Sequence, residues 1–128
     1  MADAEHAEHL ESVVRRYLEL IASGTAEEIA ELYADDATVE DPVGGGEIHI
    51  GRYAITGFYR NIENLPRETE LLALRVCGHE VAFMFRITIG AGEGSRMRIE
   101  PIDVMTFNAN GRIASMKAYW SAADVSTV

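Results

Sequence analysis

The spacing of apolar residues changes halfway along the chain, and this change limits the folds that the chain can adopt. Apolar residues recur at helical spacing over residues 8–23 and again over residues 52–64. From residue 67 onward, runs rich in branched and aromatic residues alternate with glycine-containing joints. Helices followed by strands are typical of an α+β domain. We therefore expect one domain over residues 1–128, in which a strongly curved antiparallel sheet packs against three N-terminal helices and leaves a pocket between them.

The ends of the predicted helices carry recognisable signals. Gly24 is placed to end the first helix, and Thr25 with Glu28 three residues later forms a capping-box pattern for a second helix that would include Tyr33. The third helix is predicted to run to residue 64, before Pro66.

Four strands are predicted in the second half, at residues 67–77, 80–89, 95–107 and 112–121. Asn110-Gly111 favours a two-residue type I′ turn between the last two. Pro101 lies inside the third of these strands and predicts a bulge that bends the sheet. The glycines of residues 90–94 are flanked by strands on both sides, which argues against a dinucleotide-binding loop.

Charge and composition exclude several function classes. The 128 residues carry a net charge of −10, which repels phosphate backbones and anionic membrane surfaces, so neither nucleic acid nor a membrane is an expected partner. No apolar run is long enough to span a bilayer, and the acidic first residues lack the basic region of a signal peptide, so we expect a cytoplasmic protein.

Cysteine and histidine usage gives no metal site. The single cysteine, Cys77, excludes an internal disulfide, and its apolar neighbours predict a small buried side chain. His6 and His9 are three residues apart but have no convincing third ligand nearby. No nucleophile motif is present, so neither metal chemistry nor covalent catalysis is predicted.

The stretch from Tyr33 to Val43 includes a short alternating strand, and Asp41 lies at the corner between this strand and a glycine-rich loop. Pro42 disfavours the helical conformation at Asp41, so its carboxylate is expected to stand at the end of an extended segment. Such corners often carry function, although many are plain turns.

Asp103 has a different environment, because apolar residues occupy both faces of its strand. A buried carboxyl without a partner has a raised pKa and becomes a neutral hydrogen-bond donor. The alternative is an ordinary acid paired with Arg98 or Arg112. Together, Asp41 and Asp103 suggest two acids held in different protonation states, one acting as a base and one as a donor.

Tyr17 lies in the apolar stripe of the first helix, and Tyr59 is expected to face inward from the third helix. A buried tyrosine hydroxyl needs a hydrogen-bond partner, which could equally be a backbone carbonyl of the core.

The chain resembles the bacterial Δ5-3-ketosteroid isomerases, whose cone-shaped α+β fold is shared with nuclear transport factor 2 and the polyketide cyclases. The residues that carry the resemblance are distributed over most of the sequence: Arg16-Tyr17, the stretch from Tyr33 to Pro42, Phe58-Tyr59-Arg60, Ile102-Asp103-Val104-Met105, Gly111-Arg112-Ile113 and Ala118-Tyr119-Trp120-Ser121. Ketosteroid isomerases are the known example of an aspartate base combined with an aspartic acid kept neutral at pH 7.

The resemblance implies roles for individual residues. Asp41 would be the general base that carries a proton from C4 to C6 of a 3-oxosteroid, without a metal or cofactor. Tyr17 and protonated Asp103 would form the oxyanion hole, with Tyr33 and Tyr59 in a supporting hydrogen-bond network. Trp120 would position the Asp41 side chain. The resemblance also implies a homodimer formed through the sheet face.

A flat steroid skeleton needs an apolar pocket, and seven further residues are candidates for its walls: Val43, Phe58, Leu65, Phe83, Phe85, Ile99 and Met116. Two alternatives stay open at this point. The chain could be a binding module of the same fold that holds steroids or other apolar ligands without catalysis, or a related cyclase or hydrolase that acts on another carbonyl compound.

Overall fold

The computed structural model describes residues 2–90 and 94–128, which form a mixed α+β structure. Helices α1 (Ala2–Ser23) and α2 (Ala26–Ala30) come first. Two strands follow, β1 (Tyr33–Glu40) and β2 (Ile48–Ile50), and then helix α3 (Arg52–Tyr59). The rest is strands β3 (Arg67–Cys77), β4 (Glu80–Gly90), β5 (Arg96–Ile99), β6 (Ile102–Phe107), β7 (Ile113–Tyr119) and β8 (Val125–Thr127), with a 3-10 turn at Ala122–Asp124.

The end of α1 and the start of α2 lie where their capping signals predict, whereas α1 begins at Ala2, before the predicted residue 8. The Gly24 N–H donates to the Leu20 carbonyl at 2.7 Å at the end of α1. The predicted capping box of α2 is confirmed, since the Glu28 N–H donates to the Thr25 hydroxyl and the Thr25 N–H donates to the Glu28 carboxylate. Residues on one side of α1 are fully buried, as its apolar spacing predicts.

The prediction that Tyr33 belongs to the second helix is wrong, because α2 ends at Ala30 and Tyr33 is the first residue of β1. This segment pairs with strand β7 instead of continuing the helix. The Ile113 N–H donates to the Leu32 carbonyl at 3.0 Å, and Tyr33 pairs with Ile113. Helix α3 likewise ends at Tyr59 and not at residue 64. Residues 60–64 continue as turns, with the Ile62 N–H donating to the Tyr59 carbonyl.

The strands form one sheet in the order β2-β1-β7-β6-β4-β5-β8, and β3 pairs with the other edge of β4. All pairs are antiparallel except β1 with β7, which run parallel. The parallel pair departs from the purely antiparallel meander expected from sequence. Register shifts interrupt three of the pairings, and such irregularities bend a sheet.

The predicted strand over residues 95–107 is two strands, because the ladder breaks at Glu100 and Pro101. Proline has no N–H to donate to a neighbour. Its carbonyl still accepts from the Phe85 N–H at 3.3 Å. On one edge of β4, residues Glu80 to Met84 therefore pair with β6, and residues Ile87 to Gly90 pair with β5.

Two further sequence predictions are wrong. Asn110 and Gly111 do not form a two-residue turn, since five residues separate the paired ends Phe107 and Ile113. The Asn108 carboxamide closes that longer loop by accepting from the backbone N–H groups of Asn110 and Arg112. Cys77 is exposed, because it is the last residue of β3, which pairs with β4 alone. The predicted joint at residues 90–94 lies partly outside the described residues.

Helix α1 packs across the inner face of the sheet. The ring of Tyr17 meets the ring of Phe83 edge to face at a centroid distance of 6.3 Å, and the Thr69 hydroxyl donates to the Leu18 carbonyl at 2.9 Å. No helix among the described residues has the length and apolar character needed to cross a membrane. The space left between the helices and the inner face of the sheet holds the cavity described next.

Candidate active site

Three tyrosine hydroxyls form a continuous chain of hydrogen bonds inside the protein. The Tyr59 hydroxyl lies 3.0 Å from that of Tyr17 and 2.7 Å from that of Tyr33. Tyr59 lies on α3, Tyr17 on α1 and Tyr33 on β1, and each of the three residues is at most 2% exposed. Burial raises the pKa of all three tyrosines well above the ordinary value, so they are neutral donors over the physiological pH range.

Asp103 is the only acidic residue buried in the core among the described residues, with 1% of its surface exposed. It lies on β6, opposite Phe83 on β4 and Ala118 on β7. Its Oδ1 atom has no hydrogen-bond partner in the described part of the chain. Burial first, and the charge of Asp41 second, raise the pKa of Asp103 well above its ordinary value. An acid in this environment holds its proton and can donate it in a hydrogen bond.

Asp103 is not paired with an arginine in the described part of the chain, contrary to the alternative left open by the sequence. No salt bridge joins Asp103 to an arginine in the described residues. Arg112 instead donates to the Glu31 carbonyl, and the Arg98 Nε atom has no partner of its own among these residues.

Asp41 follows β1 directly and is only partly buried. The Trp120 indole N–H donates to its Oδ1 atom at 2.6 Å. The Val43 N–H donates to the Ala118 carbonyl at 2.8 Å, which ties the corner to β7. Burial raises the pKa of Asp41, while the Trp120 hydrogen bond and the neighbouring His49 act in the opposite direction. The two acids therefore differ in environment, as their sequence contexts suggest.

One cavity of about 190 Å³ brings these groups together. Its polar lining consists of Tyr17, Asp41, Tyr59, Asn61, Asp103 and Trp120. Its apolar lining consists of Ile21, Phe58, Ile62, Phe85, Ile87, Ile89, Ile99 and Pro101. Tyr33 does not line the cavity and reaches it through Tyr59.

Three of the seven predicted wall residues line this cavity, namely Phe58, Phe85 and Ile99, and Trp120 lines it as well. Phe83 and Met116 are core residues with about 1% of their surface exposed, and Phe83 supports the Tyr17 ring from behind. Val43 and Leu65 are surface residues outside the lining.

Sequence reasoning missed several lining residues that follow from simple periodicity. Ile87 and Ile89 continue the face of β4 that carries Phe85, since residues two apart in a strand share a face. Ile21 lies one helical turn after Tyr17 on the same side of α1. Asn61 and Pro101 have no comparable signal, because both lie where regular structure is interrupted.

Aromatic rings contact one another near Asp41, and one of them, Phe58, lines the cavity. The His49 ring lies on Phe58 with a centroid distance of 4.8 Å and a tilt of 36°, and Phe58 contacts the Tyr59 ring edge to face at 5.0 Å. His49 on β2 pairs with Val39 on β1, two residues before Asp41. The described residues contain no group of three histidine, cysteine or acidic side chains that could hold a metal ion.

This arrangement could catalyse proton transfer at a carbon atom adjacent to a carbonyl group. Asp41 can accept a proton, and the hydroxyl of Tyr17 and the carboxyl of Asp103 can donate hydrogen bonds to an oxygen in the same cavity. Donors held in a buried site stabilise a developing negative charge without having to reorganise.

Comparisons with known proteins identify the family and the fold. A family model described as "SnoaL-like domain" matches residues 14–116. A steroid Delta-isomerase of Nocardioides simplex is 47% identical over 116 residues, which cover 91% of this chain and 93% of the relative. Among solved structures, the epoxide hydrolase/cyclase-like enzyme SalBIII, from a study of pyran ring formation in the polyether salinomycin, superimposes with a TM-score of 0.83 at 25% identity. That match covers 94% of this chain and 97% of the other.

The raised pKa of Asp103 predicts a specific pH dependence of stability. In the unfolded chain Asp103 loses its proton near pH 4, whereas burial holds the proton to higher pH in the folded protein. Between these two values the unfolded state binds fewer protons, so the free energy of unfolding falls as pH rises, by up to about 1.4 kcal/mol per pH unit. Asp103→Asn has no such proton and should lack this part of the decline.

Urea unfolding at a series of pH values from 4 to 8 measures this difference. The free energy of unfolding of Asp103→Asn, relative to the unsubstituted protein, should grow as pH rises. Asp36→Asn removes an exposed acid and serves as the control, for which no such growth is expected. Parallel stability curves for Asp103→Asn and the unsubstituted protein would show that Asp103 is not held neutral by the fold.

Proposed function

We propose that this chain, which belongs to the SnoaL-like domain family, is a steroid Δ-isomerase that converts Δ5-3-oxosteroids into their Δ4 isomers. The observation that carries the proposal is the convergence of Asp41, Tyr17 and Asp103 on one largely apolar cavity. The proposal is supported by the 47% identity to a curated steroid Delta-isomerase over most of both chains.

In this mechanism Asp41 is the general base. Its carboxylate removes a proton from C4 of the steroid, and the electron pair of that C–H bond moves to give a dienolate whose charge lies on the 3-oxygen. The same carboxyl then returns the proton to C6, so the double bond ends between C4 and C5 and no atom is gained or lost. Partial burial strengthens Asp41 as a base, and its hydrogen bond from Trp120 holds the carboxylate in place.

Tyr17 and Asp103 form the oxyanion hole of the proposed mechanism. Both line the cavity, and both are uncharged donors because burial raises their pKa values. Their hydrogen bonds to the 3-oxygen become stronger as negative charge develops there, which lowers the barrier for proton removal. When Tyr17 accepts from Tyr59, and Tyr59 from Tyr33, the Tyr17 proton is left free for the substrate.

The apolar walls supply binding for the hydrocarbon skeleton. Phe58 and Phe85 offer flat surfaces, and isoleucines from α1, β4 and β5 complete the enclosure. Removing apolar surface from water contributes roughly 25 cal/mol per Å², so a largely hydrocarbon ligand is held mainly by these contacts. No cofactor has a part in the proposed reaction.

A second candidate is a cyclase or hydrolase that acts on another carbonyl or epoxide compound, which the similarity to SalBIII favours. A third is a module that binds steroids without turning them over. Both are separated from the isomerase by the same assay, because only an isomerase converts a non-conjugated ketone into a conjugated enone that absorbs strongly in the ultraviolet.

The decisive experiment is a spectrophotometric assay of the purified protein with 5-androstene-3,17-dione. We expect an increase in absorbance above the buffer rate, and expect Asp41→Asn to lower kcat by about 10²–10⁴-fold, since a positioned base contributes that much. Asp36→Asn, on the exposed part of β1, should leave kcat unchanged. Folded protein without turnover would exclude the isomerase, and full activity in Asp41→Asn would exclude this base.

Asp103 offers a test of the donor role. Asparagine keeps a donor in place of the carboxyl O–H, whereas alanine removes it, so Asp103→Asn should retain more activity than Asp103→Ala. The loss of one oxyanion donor corresponds to about 10²–10³-fold in kcat. Steady-state kinetics for both variants measures the difference, with circular dichroism as the check on folding. Equal losses would contradict the donor role.

A homodimer formed through the outer face of the sheet is part of the proposal. Met84, Ile102 and Tyr119 stand side by side on β4, β6 and β7, and the last two are 47% and 46% exposed. Sedimentation velocity should give twice the mass of the chain, and Ile102→Glu should shift the protein toward the monomer. A monomer at all concentrations would contradict the dimer. A cytoplasmic location and a single domain over residues 1–128 also stay predictions.

A further inference from the structure

Asn61 is a polar lining residue that the proposed mechanism does not use. The other polar groups of the described lining belong to the acid and tyrosine cluster or, as Trp120 does, bind it directly. Asn61 follows α3, in the turns that lead to Pro66, and its side chain is exposed. It therefore lies at the mouth of the cavity, while Asp103 lies at its buried end.

Strand β4 shows how far the cavity extends between these two ends. Asp103 lines the inner end, where it pairs with the core residue Phe83, and the lining face of β4 continues from Phe85 through Ile87 to Ile89. The four residue steps from Phe85 to Ile89 span roughly 13 Å of extended strand. At the far end the Gly90 N–H donates to the Pro66 carbonyl at 2.9 Å, which brings the segment after Asn61 to that end of the strand.

The Asn61 carboxamide has hydrogen-bonding capacity to spare. Its Nδ2 donates to the Phe58 carbonyl at 3.0 Å, and this bond orients the group. An asparagine carries two N–H donors and one carbonyl acceptor. One donor and the Oδ1 acceptor are therefore left for a ligand at the mouth, and the described residues supply no partner for Oδ1.

We propose that Asn61 binds an oxygen substituent on the ring of the steroid farthest from the 3-oxo group, and that it favours a hydroxyl over an oxo group there. The inference rests on the proposed function, because the position of the far ring follows once the 3-oxygen meets Tyr17 and Asp103. A hydroxyl can use both the free N–H and the Oδ1 of Asn61, an oxo group can use only the N–H, and a C–H can use neither.

The expected preference is small, because water competes for the exposed amide. A net hydrogen bond of ordinary strength corresponds to about a two- to tenfold change in affinity. Substituting Asn61 by leucine should remove the preference without disturbing the fold, since the Phe58 carbonyl also accepts from the backbone N–H of Asn61.

Three product-like steroids that share a 4-en-3-one ring and differ only at C17 test the proposal: one with a 17β-hydroxyl, one with a 17-oxo group and one with neither. Trp120 is the single tryptophan of the chain and lines the cavity, so quenching of its fluorescence reports binding without turnover. Each steroid is titrated into the unsubstituted protein, Asn61→Leu and Asn64→Leu. Asn64 lies in the same turns, is exposed, and does not line the cavity, so it is the matched control.

The unsubstituted protein and Asn64→Leu should bind the 17β-hydroxy steroid about two- to tenfold more tightly than the steroid without a 17-oxygen, with the 17-oxo steroid between them. In Asn61→Leu the ratio should fall to about one. The same ratio in all three proteins would overturn the role of Asn61 while leaving the isomerase proposal intact. Failure of every steroid to bind would overturn both.

Discussion

Asp103 is buried on the inner face of the sheet without a cation, and the chemistry of the cavity depends on this placement. Removing a charged carboxylate from water without a partner is unfavourable, so the group keeps its proton. The nearby charge of Asp41 acts in the same direction. A proton on Asp103 and a negative charge on Asp41 therefore favour each other, so two residues of the same type in one cavity differ in their tendency to keep a proton.

The two environments differ because the two acids occupy different positions relative to the sheet. Asp103 lies within β6, between β4 and β7, where neighbours on both sides exclude water. Asp41 lies one residue beyond the end of β1, where the chain turns away and solvent reaches the side chain. The break at Pro101 then divides the edge of β4 between β5 and β6. Because Pro101 and Ile99 both line the cavity, this interruption is part of its wall.

Local patterns predicted much of this structure, and the errors share a physical origin. The spacing of apolar residues located the helices and the long strands, and the Thr25 to Glu28 pattern gave the start of α2 correctly. The sequence predicts a helix at Tyr33 because nothing near this residue in sequence reveals its pairing with β7, eighty residues later. Phe83 and Asn61 illustrate the same limit in the cavity. A strand alternation shows that Phe83 is buried, but whether it faces the cavity or lies behind Tyr17 depends on how α1 crosses the sheet.

The two acids were recognisable because their signals are local. A proline after Asp41 and apolar neighbours on both sides of Asp103 are visible without knowledge of the fold. The proximity of the two acids depends on the tertiary structure, and so does the continuous chain of tyrosine hydrogen bonds. The sequence predicts correctly that Asp103 is buried, but it leaves open an arginine partner or none, since that choice depends on side chains from other strands.

The chain of tyrosine hydroxyls joins three elements that are far apart in sequence: the middle of α1, the first residue of β1 and the last residue of α3. No single helix or hairpin contains two of these hydroxyls. Such a site exists only when helices and sheet have assembled, and it is lost as soon as any one of the three elements separates from the others. In the proposed mechanism, turnover would therefore report the global folding of the protein, and a partly folded intermediate with native helices alone would have no activity.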